Sequence, residues 1–264
     1  EIRQSALAAF NLCDVAEKVA ATHALWERFP TLELDGDAAL IAPDEPGRPD
    51  RPLLVDPQAV PRRSPFTSEG LCALLHAIAH IEFNAIHLAL DAVWRFPAMP
   101  RAYYEDWVRV AHEEAHHFSL LENQLNKLEH RYGDFSAHDG LWTMCRRTQH
   151  DLTTRMALVP RTLEARGLDA TPVIQGKLKK VATPAAMEAI AILDVILHDE
   201  IGHVAVGNRW YHWLCLHAGH DPEKFYSEVS AKYAAPAPTP PFNLIARRQA
   251  GFSESELANL RNHF

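Results

Sequence analysis

Two stretches of this 264-residue chain combine residue types that bind metal ions: Glu113-Glu114-Ala115-His116-His117 and Asp199-Glu200-Ile201-Gly202-His203. Each holds Glu-x-x-His led by a second acid, Glu113 before Glu114 and Asp199 before Glu200. On a helix, residues three apart share a face, so each Glu and its His reach the same object. Three such pairs occur (Glu113/His116, Glu114/His117 and Glu200/His203), where 19 Glu and 16 His give about one by chance. Position says more than number. Glu82, Glu114, Glu164 and Glu200 fall one on each expected long helix, and Glu82, Glu114 and Glu200 interrupt apolar stripes. A carboxylate on an apolar face is costly unless it is paired or bound to metal.

Carboxylates can bridge two metals and change denticity with oxidation state, and neutral imidazole suits iron. Two Glu-x-x-His helices plus one Glu from each of two others form the ligand set of a di-iron or di-manganese carboxylate bundle. In this reading Glu82 and Glu164 are terminal ligands, Glu114 and Glu200 bridge, and His117 and His203 complete the two coordination spheres. Asp199 and Glu113 then become acceptors for the ring N–H of a ligand His. Plainer readings exist for several of these residues. Glu82 could pair with Arg109 or His87, Glu113 and His116 could form a solvated face, and Glu164 could be an i,i+3 partner of Arg161. His76, His80 and His87 line one side of a helix, as packing histidines or a second metal site. A competing motif is His112-Glu113-Glu114-Ala115-His116, which matches the H-E-x-x-H of zinc peptidases, with His112 and His116 as ligands and Glu113 as base. It leaves Glu82, Glu114 and the second Glu-x-x-His without a role, and Ser119 stands where the metzincin pattern needs Gly.

The elements that must position these residues are helices. Glu1–Phe29 reads as one amphipathic helix ended by Pro30, and Pro30–Pro65 is too rich in Pro for a long helix. Thr67 or Ser68 caps a helix with the stripe Leu71, Leu75, Ile78, Glu82, Ala85 and Ala89, closed by Pro97 and Pro100. The next starts near Arg101, carries Trp107, Val110, Glu114, His117, Leu121 and Leu125, and breaks at Tyr132-Gly133-Asp134. A third is expected from about Leu141 to Arg166, kinked at Pro160, with a short helix from Thr171-Pro172 to about Val181. Thr183-Pro184 starts the last long helix, with Ile190, Leu193, Ile196, Glu200, His203, Gly207 and Tyr211. After Gly219 the pattern is irregular, with a short helix near Phe252–Glu256. No alternating run supports a sheet. The expected fold is all-α, a four-helix bundle over 67–218. An N-terminal helix and Pro-rich arm over 1–66 and a C-terminal tail with a short helix over 219–264 complete it.

Composition bounds the rest. Hydrophobic content of 47% supplies a core, and a formal charge of −8 without like-charge blocks argues against a grip on nucleic-acid phosphates. Cys13, Cys72, Cys145 and Cys215 are scattered without C-x-x-C, which points to free thiols in a reducing cytoplasm. There is no secretory h-region and no uncharged apolar run of about 18 residues, so neither export nor membrane insertion is expected.

At these residues the chain resembles the ferritin-like di-iron carboxylate superfamily. Asp199-Glu200-Ile201-Gly202-His203 is similar to the D-E-x-x-H of its bacterial oxygenase and ribonucleotide reductase branch. Glu114-Ala115-His116-His117-Phe118 and Leu163-Glu164-Ala165-Arg166 resemble segments of the tRNA isopentenyladenosine hydroxylase type. Over nearly its whole length the chain is more similar still to an uncharacterised bacterial family of ferritin-like proteins without assigned activity. The carrying segments are His80-Ile81-Glu82, Tyr132-Gly133-Asp134-Phe135, His138-Asp139-Gly140-Leu141-Trp142, Leu163 to Asp169 and Pro241-Phe242-Asn243. The resemblance implies two metal ions, iron foremost with Mn/Fe or Mn/Mn as variants, and oxidation or hydroxylation of an organic substrate by O2. A redox partner and a homodimer fit the same picture. The alternative is a metal-handling or peroxide-scavenging protein with no organic substrate.

Overall fold

A computed structural model describes residues 1–35, 39–41 and 45–262. Eleven α-helices are described: α1 Ile2–Asn11, α2 Val15–Arg28, α3 Ser68–Arg95, α4 Arg101–Lys127, α5 Gly140–Arg147, α6 Leu152–Leu158, α7 Ala165–Val181, α8 Pro184–Ala218, α9 Pro222–Lys232, α10 Leu244–Gln249 and α11 Glu254–Asn262. A π-helical turn, Val159–Glu164, joins α6 to α7. Among the described residues there is no strand, only an isolated bridge between Leu54 and Ala137, so the fold is all-α. Two compact units are distinguished, one of residues 1–146 and 181–192, the other of residues 147–180 and 193–264.

In the first unit α3 packs along α4, α1 lies against α3, and α2 lies against α4. Helix α3 starts because Thr67 accepts a hydrogen bond from the Gly70 N–H at 3.1 Å. It is long and apolar enough to cross a membrane by composition, yet 78% of its most apolar window is buried within the fold. Its register against α4 is set by aromatics. Phe83 packs on Phe118 at 5.2 Å between ring centroids, and both meet Tyr132, at 5.3 and 5.1 Å. Phe83 directly follows Glu82 and Phe118 directly follows His117, so this cluster aligns the two site-bearing stretches.

The expected single N-terminal helix is two. Asp14 accepts from the Glu17 N–H at 2.9 Å, a cap that starts α2 afresh after the extended Leu12. Lys18 then folds back over the end of α1, donating to the Phe10 carbonyl at 2.6 Å and the Ala9 carbonyl at 3.3 Å. Burial pulls the Lys18 ammonium down from 10.5 to about 7. Between those values the unfolded chain holds a proton that the folded chain has released, so Lys18 makes stability rise with pH there; below that window both states are charged and the effect is flat. Thermal melts of wild type and Lys18→Met should therefore diverge from pH 7 to 9.5 in favour of wild type. A constant difference would contradict the assignment.

The third helix departs from expectation at three points. It breaks between α5 and α6, where Asp151 caps α6 by accepting from the Thr154 N–H and hydroxyl at 3.2 and 2.6 Å. At Pro160 the chain widens into the π turn, and the Ala165 N–H reaches the Pro160 carbonyl five residues back. Beyond it α7 runs through Pro172 to Val181 without the restart that Pro172 suggested. The C-terminal stretch is more regular than expected, with α9 and α10 ahead of the short terminal helix α11.

In the second unit Ala165, Leu168, Val204, Ala246 and Ala250 form a buried apolar cluster, with Leu197, Ile201 and Phe252 against it. Arg161 is buried between Asn208 and Glu256, which accept its hydrogen bonds, and among the rings of Tyr211, Tyr226 and Phe252. Gly207 on α8 touches the π turn: a Cβ there would come within 2.5 Å of Pro160 Cβ. Gly207→Ala must push that turn away and should cost about 1–3 kcal/mol of stability by overpacking. A shift in denaturation midpoint measures it, and an unchanged midpoint would show that the turn yields freely. Cys72, Cys145 and Cys215 are buried free thiols, as expected, whereas Cys13 is exposed.

Candidate metal centre

Helices α3 and α4 each place one acid on their shared, fully covered interface: Glu82 on α3, Glu114 on α4, with His117 one turn beyond Glu114. All three are buried. The His117 ring nitrogen Nδ1 lies 3.1 Å from Glu82 Oε2 and 3.5 Å from Glu114 Oε2. One ligand atom from each residue lies within 4.8 Å of the others. Metal bonds of about 2.0–2.2 Å put neighbouring donor atoms roughly 3 Å apart, so this spacing fits a common ion. The donor set is chemically apt too: two carboxylates and an imidazole suit iron, manganese or zinc. Burial of two acids so close together is expensive without a cation, which is a further reason to read the cluster as a metal site. The described fold thus has a buried carboxylate–histidine group that could bind a metal ion; the metal's identity does not follow from it.

Helix α8 carries the second motif. Glu200 and His203 are buried on one face, with Glu200 Oε1 3.9 Å from His203 Nδ1. Glu164 is buried at the last position of the π turn. Among the described residues it does not join Glu200 and His203 in a cluster as tight as that around His117. The Arg161 partner considered for Glu164 is committed to Asn208 and Glu256. Asp199 is half-buried beside Glu200, and Glu113 is half-buried with its carboxylate 3.9 Å from Arg109. Arg109 therefore serves Glu113 and Asp106 on its own helix, while Glu82 accepts from His117.

The other histidines sort clearly. His76 accepts from the Gly133 N–H at 2.9 Å, and His80 meets the Tyr132 hydroxyl at 2.8 Å and Asn84 at 2.9 Å. Burial pushes His76 down to about 4 and His80 to about 3, so both stay neutral, each with one ring nitrogen free to accept; the His80 Nε2–H can then donate to the His138 carbonyl at 3.2 Å while Nδ1 accepts from Tyr132. His87 packs its ring against Phe83 and Phe10, also neutral through burial. These three are packing histidines that pin α3 to the Tyr132–Gly133 loop and to α1. His23 was not singled out by spacing, yet its Nδ1 lies 2.9 Å from His112 Nδ1. The available signal was Glu27, four residues on, which makes a second i,i+4 pair of ligand types.

A family model described as "Protein of unknown function (DUF455)" matches residues 11–258. An uncharacterised protein of Haemophilus influenzae is 53% identical over 216 residues, covering 79% of this chain and 74% of its own length. No solved structure matches.

Proposed function

The chain belongs to the DUF455 family, and we propose that it is a di-metal carboxylate oxidoreductase that oxidises or hydroxylates an organic substrate with O2. The observation that carries this reading is the convergence of Glu82, Glu114 and His117 on a space the size of one ion inside the first unit. Glu82, Glu114 and His117 would hold one ion, and Glu164, Glu200 and His203 the other, with Glu114 and Glu200 shared between them. A bound pair of redox metals, iron foremost, supplies the O2-dependent chemistry.

The chain's own residues do the rest. His117 Nδ1–H, 3.1 Å from Glu82 Oε2, keeps ring and carboxylate aligned before loading. The buried side chains of Ile78 and Leu121 in the first unit, and of Ile196 and Val204 in the second, exclude water from the ligands. Asp199 would accept from the ring N–H of a ligand His and so orient it. Substrate selection is assigned to the segments outside the long helices, 30–65 and 219–264, since loops vary while the scaffold stays.

The test is anaerobic loading with ferrous iron followed by exposure to O2. The proposal expects O2 uptake to stop once a resident pair, about two iron per chain, is oxidised. It also expects renewed uptake only with a reductant and an organic substrate. Continued accumulation of ferric iron beyond that pair would instead identify a metal-handling protein.

A further inference from the structure

The H-E-x-x-H spacing at His112 and His116 has no part in the centre proposed above. Four-residue spacing puts two side chains on one face of a helix. On α4 that pair is His112 and His116; on α2, which packs against α4, the matching pair is His23 and Glu27. One member of each pair meets the other across the helices. His23 and His112 approach edge to face with ring centroids 4.6 Å apart and Nδ1 atoms at 2.9 Å. The charges of His116 and Glu27 are both felt at His23 and at His112. Trp26 closes one side, 5.9 Å from the His112 ring. His23 and His112 are half-buried, whereas His116 and Glu27 are exposed, so the cluster opens to solvent.

We propose that His23, His112 and His116, with Glu27 as a fourth donor, form a second cation site on the α2–α4 face, selective for borderline transition ions of the Zn2+ class. Three imidazoles and a carboxylate match that class. Two nitrogens on a tetrahedral ion sit about 3.3 Å apart at bonds of about 2.0–2.1 Å, so the His23–His112 pair need open by only a few tenths of an ångström. The proton shared between the two Nδ1 atoms moves to Nε2 of the ring that carried it, leaving two neutral ligands. His116 turns in from solvent to add the third nitrogen. Burial and the neighbouring His112 ring hold His23 below the ordinary imidazole value, so this ligand is already neutral near pH 7. The site is distinct from the buried centre because it draws on α2 and on the opposite spacing of α4. Its ion fastens α2 onto the helix that bears Glu114 and His117.

The experiment is equilibrium dialysis of the full chain against Zn2+, with Co2+ absorption spectra as a second readout. Wild type, His23→Ala, His116→Ala and Glu200→Ala are compared. The expected result is one Zn2+ fewer in His23→Ala, at least about tenfold weaker binding of that ion in His116→Ala, and its retention in Glu200→Ala. The tetrahedral Co2+ bands should fade in the same two variants. His116 is exposed, so its replacement leaves folding untouched and keeps the test sharp. Equal Zn2+ binding in wild type, His23→Ala and His116→Ala would overturn the proposal and leave the His23–His112 contact as a hydrogen bond between helices. Loss in Glu200→Ala alone would overturn it as well.

Discussion

Glu114→Ala should strip the protein of both metal ions, and Glu200→Ala should do the same. Protein prepared without chelator is expected to carry about two Fe or Mn per chain, and either variant close to none. The size of the effect follows from the role. A terminal ligand can be replaced by water at one ion, but a bridging carboxylate, in the role proposed for Glu114 and Glu200, offsets the repulsion between two cations in one low-dielectric space. Glu82→Ala, by contrast, should weaken one ion and spare the other. Elemental analysis and circular dichroism on the same samples separate metal loss from unfolding. A full pair retained in Glu114→Ala or Glu200→Ala would refute the bridging roles. A single zinc indifferent to both Glu200 and His23 but lost with His112 would favour the H-E-x-x-H reading.

Arg247→Leu should be the most destabilising single change in the second unit. The Arg247 guanidinium grips Asp169 from both sides, Nε at 3.1 Å from each carboxylate oxygen and Nη2 at 2.6 Å from Oδ2. Asp169 Oδ1 also accepts from the Asn243 N–H at 2.8 Å, and both side chains are almost wholly buried. Removing one partner leaves a buried charge uncompensated, which costs about 3–5 kcal/mol. In a unit of this size that should lower Tm by roughly 12–20 °C. The double variant Asp169→Leu/Arg247→Leu removes both charges and should recover part of the loss. Urea midpoints for the three variants decide it: a single-variant cost below about 1 kcal/mol would mean that the Arg247–Asp169 pair adds little to what apolar contacts and the Asn243 hydrogen bonds already supply between α10 and α7.

Much of this was legible from residue types at helical spacing. The stripes around Glu82 and Glu114, and the Thr67 cap, led to α3 and α4 with little error, because long amphipathic helices with strong caps leave few alternatives. The convergence of Glu82, Glu114 and His117 followed from the same face argument. What escaped were local effects that spacing does not register. The break after Leu12 depends on a single Asp14 cap. The passage of α7 through Pro172 depends on its surroundings outweighing the proline penalty. The His23–His112 contact spans 89 residues, and only the His23/Glu27 spacing on α2 hints at it in the sequence. Glu164 was the hardest of the six to place. The sequence signals a kink at Pro160 but not the extra residue of the π turn, which shifts the helical phase by one residue at Glu164.

That turn has a consequence in genetic terms. A π turn holds one residue more than an α turn, so excising a single codon within 159–164 restores ordinary α hydrogen bonding. The backbone would lose little. Because the wide turn absorbs its extra residue, the helices on either side would keep their facing, and only the side chains within 159–164 would be re-spaced. Glu164 would then leave its buried position, or Arg161 would leave its ring of Tyr211, Tyr226 and Phe252. Glu164 and Arg161 thus owe their settings to the wide turn: the shortest route back to a regular helix passes through a protein that has lost either an acid or an arginine.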